Sequence, residues 1–140
     1  MTVQEYLSKI RTYDTMIQNK DYDYYRLLEL TKGLSTPPSD RDKVLSSPKG
    51  DSLCNGVIEL VEIENEIHNL IQARKFIISQ IETLSLSNYK ILYHKYVMGQ
   101  TGKEIMIELN YNSRSAYSLQ LKKALREFEK LYGNTYKNKR

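Results

Sequence analysis

Eight side chains in the last third of the chain carry the chemistry that points to a ligand: Thr101, Lys103, Ser113, Arg114, Ser115, Ser118, Lys122 and Lys123. Arginine can hold guanine O6 and N7 in a bidentate pair, and serine adapts to any base edge. Lysines meet phosphates, as do hydroxyls and the free N–H groups at a helix N-terminus. Gln120, on the same stretch, is of a type that reads adenine. The set suits duplex DNA. Elsewhere the reactive residue types do not assemble. His68 and His94 read as surface or edge residues, Cys54 has no histidine nearby, and Asp40, Asp42 and Asp51 lack the spacing of a calcium loop. We therefore expect no enzyme, metal or cofactor.

These residues need elements to position them, and the segment from Tyr93 to Tyr132 supplies the punctuation. A helix over residues 88–98 turns Ile91, Leu92, Tyr96 and Tyr89 inward. Gly99 stands where a helix end needs φ > 0. Thr101-Gly-Lys-Glu104 has the form of a capping box, which starts a short helix burying Ile105, Met106 and Leu109. Asn110 to Ser113 make a turn, because asparagine tolerates the left-handed region and serine or asparagine caps the next helix. That last helix runs from about Ser113 to Leu131. Its apolar face is Ala116 or Tyr117, then Leu121, Ala124, Leu125, Phe128 and Leu131. The rhythm is that of a helix-turn-helix.

The preceding residues read as a frame. Val3, Tyr6, Ile10, Tyr13, Ile17, Lys20, Tyr24 and Leu27 step by threes and fours, and so do Leu60, Ile63, Ile67, Leu70, Arg74, Ile77, Ile81 and Leu84. Each row is a heptad seam interrupted once by a basic residue. Val57, Val61, Ile71 and Ile78 form a second row, so the later helix faces more than one neighbour. All three prolines and three of the six glycines fall within residues 33–56, which reads as a flexible loop. The two rows and the loop imply an antiparallel hairpin, pairing residue 31 with about residue 55. That register sets Lys20 near Glu64 or Glu66, and Arg74 near Asp14, where they either pair or snorkel out to water with no specific partner. The division is 1–84 for the hairpin and 88–140 for the helix-turn-helix, in an all-α fold. Tyr22, Tyr24 and Tyr25 mark an interface, and we expect a homodimer through the hairpin.

Charge respects the same division. Residues 1–87 hold 10 Lys/Arg against 13 Asp/Glu, a balance of −3, and residues 88–140 hold 11 against 4, a balance of +7. A basic half beside an acidic one implies a polyanion as partner. With 40% hydrophobic and 27% charged residues, the 140-residue chain is of globular composition. No apolar run is long enough for a membrane span, and the polar N-terminus lacks the core of a signal peptide, so we expect a cytoplasmic location.

The pattern G-x-T-x-x-E-I from Gly99 to Ile105, then a turn and a basic helix with K-K-A-L at Lys122 to Leu125, resembles region 4 of the primary bacterial sigma factors. That module reads the promoter −35 element. Together with YLSKI at Tyr6 to Ile10, SSPKGD at Ser46 to Asp51 and I-E-x-E-I at Ile63 to Ile67, the chain resembles phage transcription regulators of the ArpU type over nearly its full length. The resemblance implies a small regulator of late genes in Gram-positive phages and prophages, acting in the bacterial host cell on double-stranded DNA; in such a regulator the hairpin dimerises or contacts RNA polymerase. It implies Thr101, Lys103, Ser113, Arg114, Ser115, Ser118 and Lys122 as the DNA face. Met106 departs from it, standing where such modules carry a small alanine. The spacing from Asn110-Tyr111 to Lys123-Ala124-Leu125 is also one residue longer, which leaves open whether Ala116 or Tyr117 is buried. Two other classes remain open on the residues alone. One is a phage DNA-packaging component of the small-terminase kind, and the other a coiled-coil interaction module that binds no DNA.

Overall fold

The computed structural model describes residues 1–34 and 47–137. Among them are five α-helices and no strand, so the fold is all-α. These are α1 (Val3–Leu34), α2 (Ser47–Ile81), α3 (Leu86–Leu92), α4 (Gly102–Glu108) and α5 (Arg114–Lys137), with a π-helical turn at Tyr93–Val97 continuing α3. Among the described residues no helix is long and apolar enough to cross a membrane.

The expected loop over 33–56 is too long. Helix α1 continues to Leu34 and α2 begins at Ser47, with Pro48 in its first turn, where a missing N–H costs nothing. The remainder of that expected loop lies outside the described residues.

Packing divides the chain into two compact units, Thr15–Ile71 and Met1–Asp14 with Gln72–Arg140. Each takes part of α1 and part of α2. The division differs from a boundary at 84–88, because the first turns of α1 serve the core around α5.

In the unit Thr15–Ile71 the helices run antiparallel in the expected register. Lys20 pairs with Glu66, and the Tyr24 hydroxyl donates to Glu64 at 2.9 Å. Helix α1 passes close to Gly56, where an added Cβ would lie 2.8 Å from Thr31 Oγ1. Among the described residues, the only apolar side chain of this unit that is buried is Leu60.

The other unit holds the main core. Val3, Tyr6, Leu7 and Ile10 from α1 and Ile77 and Ile81 from α2 pack with Ile91, Leu92, Ile105, Tyr117, Ala124, Phe128 and Tyr136. Thr2 and Glu5 form a capping box that starts α1, with Glu5 N donating to Thr2 Oγ1 (3.1 Å) and Thr2 N to Glu5 Oε2 (3.3 Å). The Tyr6 hydroxyl donates to Gln80 at 2.7 Å, and its ring stacks on Tyr136 with centroids 4.5 Å apart. Arg74 Nε meets Asp14 Oδ1 at 2.6 Å, the pair expected from the heptad register. The interrupting basic residues of both seams thus have carboxylate partners, which fixes the register of the hairpin.

Candidate nucleic-acid interface

The short helix α4 is set by its ends. Before it, the π turn closes with Met98 N donating to Tyr93 O (3.0 Å), and Gly99 comes next at φ +71°. A side chain there would be strained, and its Cβ would also lie 2.8 Å from Arg11 Cζ, because α1 lays that guanidinium across the turn. Arg11 also donates to the Val97 carbonyl (3.4 Å). Thr101 and Glu104 then complete the capping box, with Glu104 N donating to Thr101 Oγ1 (3.3 Å) and Thr101 N to Glu104 Oε1 (2.9 Å). His94, half-buried in the π turn, ties α4 down from the other side. Its Nδ1 lies 2.7 Å from Gln100 Oε1 and 2.9 Å from Glu108 Oε2.

The turn into α5 is a Schellman motif. Asn110 sits at φ +61°, Asn110 N donates to Ile107 O (3.4 Å), and Tyr111 N donates to Met106 O (2.9 Å). Ser113 Oγ then accepts from Ala116 N at 3.1 Å and caps α5. Tyr111 packs edge-on against Tyr117, centroids 6.0 Å apart.

The open register of α5 resolves to Tyr117. That ring is buried and Ala116 is exposed. Gly102 makes this possible, since a Cβ there would be 3.3 Å from Tyr117 Cε2. Burial, and after it the neighbouring Tyr117, push the Tyr96 phenol up to about 12, so it stays neutral under the two helices.

A polar link holds α5 to α3. Asn88, buried, donates to Glu127 Oε1 (2.6 Å) and accepts from Gln120 Nε2 (2.5 Å), while Ser85 N and Oγ reach the same Glu127 oxygen (3.3 and 3.2 Å). Gln120 is therefore turned inward, which removes it from the base-reading face expected for it. Leu131 is a second correction. It is exposed, and Tyr132 and Tyr136 take its place, because the apolar stripe drifts round α5 as its partner changes from α3 to Tyr6 of α1. Helix α5 also runs beyond Leu131, to Lys137.

The Asn88 hydrogen bond, followed by those of Ser85 and against a cost of burial, holds the Glu127 carboxyl below its ordinary 4.5. The Thr101 backbone and hydroxyl do the same for Glu104. Groups with a depressed folded pKa stabilise above their unfolded value, and that contribution is lost as pH falls through the folded one. The urea midpoint should accordingly hold from about pH 7 to 5 and decline below about 4.5. Glu127→Gln should lose less on acidification than the parent, and an equal loss would assign the effect to other carboxylates.

Of the eight candidate residues, Thr101, Lys103 and Arg114 come together round one surface groove, floored by Gly102, Met106 and Tyr117 where α4 and α5 start. Ser115, Ser118 and Lys122 lie beyond it on the exposed side of α5, with Arg114, Ser118 and Lys122 on one ridge of four-residue steps. Ser113 is exposed beside them as the cap. Lys123 is exposed as well, about half a turn round the helix from Arg114 at roughly 100° per residue, and stands at the far edge of the face one turn beyond Leu119. Two residues outside the eight do lie on it. Leu119, 55% exposed, and Arg126 continue the row from Ser115 through Lys122. Helical spacing alone identifies them. No protein-family model, curated protein or solved structure matches this chain.

Proposed function

We propose that the chain is a sequence-specific DNA-binding transcription regulator that inserts the first turns of α5 into the major groove. The observation that carries this reading is the groove where Thr101, Lys103 and Arg114 meet, continuous with the exposed Ser115, Ser118 and Lys122. In this pose α4 crosses the phosphate backbone, and Lys103 and the free N–H groups at the start of α5 contact phosphates. Arg114 and the serines reach base edges, and Leu119 offers an apolar surface to a thymine methyl. The +7 balance of residues 88–140 supports the same partner.

The resemblance to sigma region 4 and to ArpU-type regulators supports promoter recognition in phage or prophage late genes, with polymerase as a second contact. Anisotropy titration of the full chain with labelled duplex DNA tests the core of the proposal. Between about 50 and 200 mM salt, three to five phosphate contacts should give a log–log slope of roughly −3 to −4.5. A flat salt dependence overturns DNA binding and leaves the protein-interaction reading. Sedimentation of the free protein separates regulation from packaging, because a packaging subunit forms a ring of many copies.

A further inference from the structure

We infer that the outer face of α1 in the unit Thr15–Ile71 is a self-association surface, and that its occupant is a second copy of this chain. Tyr22, Tyr25, Arg26 and Glu29 recur at intervals of three and four, which places them on one ridge of the helix. That ridge is turned away from the seam where Lys20 and Tyr24 meet α2. Tyr22 is 70% exposed, Tyr25 63% and Leu30 60%. Two shallow surface grooves share Arg26 and Leu30, so the ridge is one continuous surface reaching to Ile63 and Glu59 of α2.

Area argues for a partner. A contiguous apolar patch of more than a few hundred Å² is unusual on a monomer. The two tyrosines and Leu30 alone leave on the order of 400 Å² in water, about half of what each partner covers in a standard interface. The unit has little else to hold it, since Leu60 is its only buried apolar side chain among the described residues. Two helices with so small a shared core gain their missing neighbours in a four-helix arrangement.

Charge argues that the partner is the same chain. Arg26 and Glu29 are both exposed, and neither makes an ion pair among the described residues. A two-fold axis level with Leu27 and Leu28 runs the two α1 helices antiparallel and sets Arg26 of each copy opposite Glu29 of the other. An isologous contact repeats every pair twice, so one patch supplies both signs of charge. The surrounding tyrosines and Leu30 shield those pairs from water.

The inference stands apart from the DNA reading, and its test uses the full chain without DNA. Sedimentation equilibrium at micromolar concentration should give a dimer. Arg26→Glu and Glu29→Arg should each weaken it about tenfold or more, since each sets like charges opposite one another. The combined variant Arg26→Glu/Glu29→Arg should restore association, because the swap re-forms both pairs between copies. Circular dichroism checks that helix content is unchanged, which these exposed positions permit. Tyr22→Ser/Leu30→Ser should weaken the dimer without any charge change. A monomeric parent, a ring of many copies, or single variants that associate as the parent does would each overturn the proposal. So would a double variant no tighter than the singles.

Discussion

Phe128→Ala should destabilise the protein by about 3–5 kcal/mol, the usual cost of emptying a fully buried phenylalanine site. The side chain has no exposed surface, and its ring lies 5.1 Å from Tyr132, 5.9 Å from Tyr6 and 6.4 Å from Tyr136, centroid to centroid. The cavity has no simple way to close. Its aromatic neighbours stand on α1 and α5, which are anchored elsewhere by polar links at Gln80 and at Asn88. Stability of a domain this size is on the order of 5–15 kcal/mol, so the variant should be poorly folded at body temperature yet measurable in the cold. Urea unfolding monitored by circular dichroism gives the magnitude. Hydrogen exchange gives the location: protection should fall in residues 3–14 together with α5, because Phe128 joins them. A loss confined to α5 would show that the start of α1 is no part of that core.

That assignment of α1 marks where local pattern stops being informative. Features decided within four or five residues were legible. Gly99 takes a positive φ, Thr101 and Glu104 cap α4, Asn110 enters the left-handed region and Ser113 caps α5, each for a reason confined to its own turn. The hairpin register was legible too, since pairing residue 31 with about residue 55 sets Lys20 by Glu66 and Arg74 by Asp14, where the structure finds them paired. Features decided by a distant partner were not. Tyr117 is chosen over Ala116 by the room left beside Gly102, fifteen residues earlier. Gln120 is polar in a polar row, yet the buried amide of Asn88 turns it inward. Leu131 continues an ideal apolar stripe that the real helix abandons once Tyr6 becomes its neighbour.

Arg114→Ala should cost about 1–3 kcal/mol of affinity for a selected DNA site, roughly tenfold to a hundredfold, and relax preference at one base pair. The expectation rests on position as much as on residue type. Arg114 opens α5 at the rim of the groove shared with Thr101 and Lys103, where a helix-turn-helix places the residues that enter first. Lys103→Ala gives the contrast. A phosphate contact carries no sequence information, so its loss should weaken all duplexes alike and reduce the salt slope by about one unit. Selection of bound sequences from random duplex DNA, run with parent and variants, reads both effects in one experiment. If Arg114→Ala retains the parent's preference at every position, α5 does not read bases through its first turn. Leu119, exposed one turn beyond Ser115 on the adjoining row, would then be the next residue to substitute. If the parent enriches no sequence but binds duplex with a steep salt slope, the face holds backbone only, and promoter recognition falls while DNA binding stands. The two outcomes differ because charge gives affinity, whereas preference requires a side chain fixed by packing. On this face the fixing is done by the Ser113 cap at one end of α5 and by Tyr117 packed against Gly102 just beyond it.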